Sequence, residues 1–490
     1  TSLPVGRLKI TVPSLGILYI AAVLEQNNYE VRILDAPLEG FDNERRISSR
    51  NITYGLSEEE IKDVITEFKP DLVGVSCQSS LQFINSLETC RAAKEVNNNI
   101  VTVMGGPHPS LFPVEVLKNH HKIEFIVIGE GEYTLRDLLS QLKSKVSEYS
   151  NIDGLAYRIN GEIKVNPKGN LIENLDEIPY PARHLVDSEK YFKINLNQNL
   201  SFIKRSITMV TSRGCPFKCV FCFTSKYWMG NYRTHSPDYV LKEIDMLVNK
   251  YKIHEIQFTD DTLTYDYDRA IEIFTRLRDR KYNLRWTTPN GINAHNLDER
   301  LLKVMKESGC YEIRLAIESG NPDVLRDIIN KPITLDKTDE VIKMAKKIGL
   351  TTSAFFSIGY PGETISQIKE TFSFARKIRV DSVFLSIATP LPGTDLMKIC
   401  QEKGYISKDH DFFKSEFSTA IYDTENFTRR DLEKFYVWES LLLNLSLVLR
   451  NPKAFFQRWG ALIYHHPFFT IKTFFSYFLR IFKRQNYTIV

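Results

Sequence analysis

At 490 residues the chain is too long for a single core, and at roughly 100–200 residues per domain it should hold about three. Its 43% hydrophobic and 25% charged content is ordinary for globular domains, and a net charge of +4 creates no global field of the kind that binds nucleic acid. Seven cysteines, an odd number and mostly unclustered, exclude a secreted disulfide framework and point to a reducing, cytoplasmic compartment.

The opening TSLPVGRLKITVPSLG holds no uninterrupted apolar run of signal-peptide length and no Met. Residues 1–145 then alternate two periodicities. LGILYIAAVLEQNNY (Leu15 to Tyr29) has helical spacing, EVRILDA reads as a strand, and SEEEIKDVITEFKP is a helix with Ser57 and Glu60 placed as a capping box. DLVGVSCQSS follows as an apolar strand, then a helix from Gln82 to Val96, then NIVTVMGGPHPS and IEFIVIGEGEYTLRDLL. Strands that are apolar throughout and alternate with helices indicate an α/β, Rossmann-like parallel sheet covered on both faces. Three strand ends carry ligand-permissive residues: Ser76 to Ser80, Gly105-Gly106-Pro107-His108, and Gly129-Glu130-Gly131-Glu132. Each could be a plain strand-to-helix turn, but three on one edge favour a ligand crevice. No G-x-G-x-x-G with a following acid supports a nicotinamide dinucleotide.

Residues 146–200 read as a linker, with a small hairpin around Asn160-Gly161 and a Pro-punctuated turn in LDEIPYPARHL. Residues 201–400 resume the alternation. SITMVTS, EIQFTDD, LRWTTPNGINA, EIRLAIESG, TTSAFFSIGYPGE and SVFLSIATPLPGT are six strands separated by helical patterns, which fits a partial (β/α)6 barrel of the TIM type with its site at the C-terminal mouth. Directly after the first of these strands stands SRGCPFKCVFC, with Cys215, Cys219 and Cys222 in eight positions and no fourth cysteine nearby. A structural zinc site is closed by four ligands, and here the next histidine is His235, with no second cysteine pair. An iron-sulfur cluster is the better match: three thiolates clamp three irons of a cubane and leave the fourth open to a substrate or cofactor.

This spacing, with Phe221 before the last cysteine, resembles the signature of the radical S-adenosylmethionine enzymes. The resemblance implies a 4Fe-4S cluster held by Cys215, Cys219 and Cys222, whose open iron is chelated by S-adenosylmethionine, and reductive cleavage to a 5′-deoxyadenosyl radical that abstracts a substrate hydrogen. It further implies that FTDDT places Asp260 or Asp261 near the methionyl amine, with capping of the next helix as the other reading. Glu318 of AIESG would bind the ribose hydroxyls beside Ser319, and Gly359, Pro361 and Gly362 of IGYPGET would lie along the adenosyl moiety. PLPGT (Pro390 to Thr394) resembles the sixth-strand end. An external electron donor such as ferredoxin or flavodoxin would reduce the cluster.

PSLGILYIAAVLEQNNYEVRILDA, GGPHPS, GEGEYT and LDEIPYPAR, ahead of the cysteine loop, together resemble the cobalamin-binding members of that family. Cobalamin would lie over Ser76, Gly105, Gly106, Pro107, His108 and Gly129, Glu130, Gly131, Glu132. The D-x-H-x-x-G motif is absent, since DAPLEG has no histidine, so cobalt would carry no protein histidine; His108 fits packing or a tail contact better than ligation. Relatives begin with a strand and a Pro-rich loop. Here about a dozen residues precede the Leu15 helix; without that first strand the sheet would lack a neighbour and its hold on cobalamin would weaken.

The implied chemistry is methylation, or cyclisation or rearrangement, of an unactivated carbon in a hydrophobic or natural-product-like small molecule. The alternative is a non-catalytic iron-sulfur or metal-binding scaffold with the same fold. No second cysteine cluster supports methylthiolation. Residues 401–490 should be helical, and Asn451 to Val490 holds eight Phe, six Lys or Arg and no acid. Such a stretch suits peripheral contact with anionic lipid, and is too interrupted by His465, His466, Pro467 and Lys472 to span a bilayer; the other reading is that its aromatics cover the open side of the barrel.

Overall fold

The structure is a computed structural model that describes residues 2–4, 9–46, 51–144, 148–194, 203–407 and 419–452. The apolar runs of the first third form a five-stranded sheet in the order Leu72–Ser76, Val101–Gly105, Phe125–Val127, Leu155–Ile159, Glu162–Val165. The first three strands are parallel and the last two antiparallel, so the sheet is mixed rather than wholly parallel. The hairpin at Asn160-Gly161 forms as expected, both residues taking positive φ (51° and 82°), yet it is not a detached connector: it extends the N-terminal sheet by two strands.

Helix Glu58–Phe68 starts with the full capping box, the Ser57 hydroxyl accepting from the Glu60 amide (3.2 Å) and the Glu60 carboxylate from the Ser57 amide (2.7 Å). EVRILDA is not a strand. It runs as irregular chain into a short helix, Ala36–Glu39, capped by Asp35, whose carboxylate accepts from the Leu38 amide at 3.1 Å. A strand needs a ladder, and among the described residues Leu72–Ser76 has a hydrogen-bonded neighbour on one side only. Ser2–Pro4 pairs elsewhere, in a small antiparallel sheet with Asn51–Tyr54 and Glu44–Arg46.

The second unit has six parallel strands, each beside the next in chain order: Ser206–Met209, Glu255–Phe258, Arg285–Thr287, Cys310–Glu318, Thr351–Ile358 and Ser382–Ile387. Its helices bury their apolar stripes against the sheet. At their centre Trp286 stacks on Phe274 (4.4 Å between centroids) and donates its indole N–H to the Ser308 hydroxyl at 3.1 Å, so its one polar atom is satisfied inside the core. Helix Arg429–Arg450 packs along the last strand and helix Ile365–Lys377 through Leu432, Leu443 and Leu447. Glu439 pairs with Arg376 at 2.5 Å, and the Tyr436 hydroxyl donates to the Leu385 carbonyl at 3.1 Å. The basic, aromatic stretch that begins at Asn451 lies outside the described residues from position 453 on. No described helix is long and apolar enough to cross a membrane.

Candidate active site

The C-terminal strand ends of the two units face one cavity of about 430 Å³. From the N-terminal unit it is lined by Ser76, Gly105, Gly106, Pro107, Gly129, Glu130, Gly131 and Glu132, among others; from the barrel come Ser212, Arg213, Tyr227, Trp228, Thr259 and Asp261. Gly106 sits at φ 101°, and a Cβ there would lie 2.5 Å from the Cys77 carbonyl oxygen. The turn therefore closes tightly below the cavity and leaves bare backbone at its wall.

His108 is not on that floor. Its ring packs at a tilt against Phe83 (4.4 Å between centroids) and Phe112 (5.4 Å), and its Nδ1 meets the Ser80 hydroxyl at 2.9 Å; burial, then the nearby His120, pushes its pKa down to about 4. It is a neutral packing residue.

Glu130 and Glu132 line the cavity, but their carboxylates are engaged. Arg213, two residues before Cys215, donates to Glu130 and to Glu132 at 2.7 Å each while its guanidinium lies 5.2 Å from the Tyr19 ring centroid. Arg233 adds a second guanidinium to Glu130 (2.9 Å), which also accepts from the Ile172 amide at 2.9 Å. Burial works against ionising Glu130, yet Arg213 and Arg233 outweigh it and hold the carboxyl below its ordinary range.

The cysteine loop hangs from the first barrel strand. Gly214, at φ 93°, turns the chain where a Cβ would strike the Asn231 carbonyl. Asp260 is buried and accepts from the Thr211 amide (3.0 Å), the Thr211 hydroxyl (2.8 Å) and the Ser212 hydroxyl (2.6 Å), so it fixes the start of this loop; the next helix, Tyr267–Asp279, is capped by Asp266 instead. Asp261 opens onto the cavity. Enclosure by surrounding protein, then the Asp260 charge, pushes its carboxyl up to about 6.

Cys215, Cys219 and Cys222 are free and half-buried. Burial raises the Cys215 thiol to about 12 and the Cys219 thiol to about 11, the latter against the pull of Lys331. Among the described residues no three His, Cys, Asp or Glu side chains converge on one ion position. His235 faces elsewhere, stacked on Tyr239 at 3.9 Å and 3.2 Å from Asp176.

The loop is also held from the fourth strand. A π-helical turn, Val324–Ile329, ends at Asn330 in the left-handed region (φ 57°). It presents the Ile329 carbonyl to the Val220 amide (2.9 Å) and the Asn330 amide group to the Lys218 carbonyl (3.2 Å), and returns Lys331 to Glu318, 3.1 Å away. Glu318 itself has φ 73°, at a register shift in its strand, an unfavourable conformation for a non-glycine residue and one typical of ligand sites. Phe221 lies 6.2 Å from Tyr360 and 6.0 Å from the Lys331 ammonium. Ser319 turns away: its hydroxyl meets Thr371 at 3.0 Å and accepts from the Asn321 amide.

Gly359 and Tyr360 donate their amides to buried Glu363, at 2.6 and 3.0 Å, while Tyr422 donates to the Gly359 carbonyl and Asn426 to that of Gly362. Pro361 stands within the same turn. Lys331, Arg213, Arg233, Tyr227, Trp228 and Glu363 were not anticipated from the sequence. Arg213 and Glu363 lie inside quoted motifs, and that was their one available signal.

The sequence pattern of the Radical SAM superfamily matches residues 209–375, and that of the B12 binding domain residues 2–139. An uncharacterized methyltransferase of Pyrococcus horikoshii is 36% identical over 386 residues, covering 79% of this chain and 78% of its own. The cytidylyl-2-hydroxyethylphosphonate methyltransferase of Streptomyces wedmorensis is 33% identical over 437 residues (83% and 81%). The anaerobic magnesium-protoporphyrin IX monomethyl ester cyclase of Rubrivivax gelatinosus is 30% identical over 457 residues (92% and 75%). In fold, the cobalamin-dependent S-adenosylmethionine radical enzyme OxsB, solved with aqua-cobalamin and S-adenosylmethionine, superposes with a TM-score of 0.69 at 17% identity, over 95% of this chain and 70% of its own.

Proposed function

Because this chain belongs to the cobalamin-binding radical S-adenosylmethionine enzymes, we propose that it methylates an unactivated carbon of a small, largely apolar molecule in the cavity between its two units. Its cofactors are a 4Fe-4S cluster, S-adenosylmethionine and cobalamin. The observation that carries the proposal is a shared cavity: the glycine turns of the N-terminal sheet and the residues on either side of the cysteine loop, Ser212, Arg213, Phe223 and Thr224, line the same space.

Cys215, Cys219 and Cys222 hold three irons of the cluster. Lys331 and Glu318, a buried cation and carboxylate beside Cys219, hold the charged and hydroxylated parts of S-adenosylmethionine, and Asp261 accepts from its amine. Phe221, Tyr360 and the Gly359-to-Gly362 turn, braced by Glu363, flank the adenosyl group. Gly105, Gly106, Pro107, Gly129 and Gly131 form the corrin floor, with Ser76 at its edge. When bound, the cluster and corrin supply one-electron cleavage of the sulfonium and a transferable methyl group. The protein's part is to hold both reagents at one cavity and to exclude water, which the apolar walls and the Tyr227 and Trp228 rings serve.

An external donor such as ferredoxin or flavodoxin supplies the electron. The free thiols of Cys77, Cys90, Cys310 and Cys400, all buried, fit a reducing cytoplasm. Anaerobic turnover with product counting tests the reading: methyl transfer yields S-adenosylhomocysteine and 5′-deoxyadenosine in equal amounts. Ring closure is the second reading, favoured by the match to a cyclase over 92% of the chain; it yields 5′-deoxyadenosine without S-adenosylhomocysteine. Neither product from a protein with a full cluster would leave the non-catalytic scaffold.

A further inference from the structure

We propose that the outer face of helix Arg429–Arg450 docks this enzyme on an anionic membrane surface. The helix is two-sided. Leu432, Leu443 and Leu447 are buried against the barrel, while Trp438 (61% exposed), Leu441, Leu442, Leu445 (54%) and Leu449 (75%) face outward. At about 100° per residue these five fall within a stripe about 100° wide and about 16 Å long, opposite the buried face. Between Val437 and Leu449 the one charged residue is Glu439, and it is turned to Arg376 at 2.5 Å. The outward stripe therefore carries no charge of its own. Isolated exposed leucines are ordinary on a protein surface, but five apolar side chains aligned on one helix face are a contact surface.

Charge decides what the contact is with. The forty residues from Asn451 carry six cations and no acid, more than the +4 of the whole chain, so the protein's positive charge is concentrated directly beyond this helix. A second copy meeting the stripe carries the same cation-rich sequence and supplies no complementary charge. An anionic lipid surface meets both needs at once, accepting the apolar stripe at the acyl boundary and the lysines and arginines at its headgroups. The interaction is peripheral, because the helix's other side is committed to the barrel and no described helix is long and apolar enough to span.

The full chain, reconstituted anaerobically with cluster and cobalamin, is floated with vesicles of phosphatidylcholine alone and of phosphatidylcholine with equimolar phosphatidylglycerol. Trp438 emission, taken as the part of the tryptophan signal that Trp438→Phe removes, is followed in the same samples. Binding to the anionic vesicles, a blue shift of Trp438, and about a tenfold loss of binding in Leu445→Glu/Leu449→Glu with unchanged circular dichroism would support the proposal. These two positions are the most exposed leucines of the stripe, so their replacement leaves the buried face intact. Absence of wild-type binding to anionic vesicles, or equal binding by the double variant, would overturn it. So would iodide quenching of Trp438 in free protein that rises on deleting residues 453–490 or on dilution, since the stripe would then be covered by the chain's own end or by a second copy. None of these readouts requires turnover, so they succeed or fail independently of the methylation reading.

Discussion

Replacing Arg213 with Met removes the cation that joins the cysteine loop to the Gly129–Glu132 turn. Arg213 bridges Glu130 and Glu132 at 2.7 Å each, and the two carboxylate side chains are 1% and 5% exposed. Removing one partner from a buried ion pair costs about 3–5 kcal/mol, because the surviving charge is left desolvated. Arg233 still reaches Glu130 at 2.9 Å, so the lower end, about 3 kcal/mol, is expected here. The Ile172 amide reports it locally, since it donates to Glu130 at 2.9 Å. Native-state hydrogen exchange at that amide should speed up by about 150-fold in Arg213→Met, at tenfold per 1.36 kcal/mol. Adding Glu132→Gln removes the stranded charge and should recover about tenfold, a coupling within the usual range for contacting residues. Exchange within threefold of wild type, or a double variant no slower than the single one, would refute the reasoning.

Glu363→Gln should flatten the pH dependence of stability. Burial raises the Glu363 carboxyl from 4.5 to about 7, so its contribution is full below pH 4.5 and is lost as pH rises through about 7, where the ionised form must be buried. The wild-type thermal midpoint should fall from pH 5 to 8 relative to Glu363→Gln, and parallel profiles would contradict this. Gly106→Ala drives a Cβ to 2.5 Å from the Cys77 carbonyl at φ 101°, so cobalt retained after gel filtration should drop while iron content is unchanged. Lys331→Met should raise the KM for S-adenosylmethionine more than tenfold with the cluster intact, as removing a charged hydrogen-bond donor does. Cys219→Ala should lose the reduced-cluster EPR signal and all 5′-deoxyadenosine.

The residues that could be read from sequence were those whose role is periodic or local. The six barrel strands declare themselves because each is an apolar run with a polar end, and the Ser57–Glu60 box because its partners are three residues apart. EVRILDA has the same local composition as a real strand, but strand formation depends on a ladder partner that composition does not encode. Lys331 was invisible for another reason. It reaches Glu318, thirteen residues earlier, by way of a six-residue π-helical turn, and nothing in NKPIT distinguishes that lysine from a surface one. Asp260 and Asp261 were indistinguishable as adjacent acids at a strand end. Successive residues leaving a strand point to opposite sides, which sends one into the loop's base and the other into the cavity.

The same geometry explains why the two units do not act separately. The N-terminal sheet offers a bare glycine floor, and its rim carries two carboxylates that would be costly to bury alone. Those carboxylates find their cations at Arg213 and Arg233, on the short strands Ser212–Arg213 and Arg233–Thr234 that bracket the cysteine loop. Separating the units would strand charges on both sides, so these ion pairs couple the floor to the cysteine loop. Placing the ion pairs at the rim also spends the polar groups where they lock position, and leaves the cavity walls largely apolar for a substrate that must meet a radical away from water.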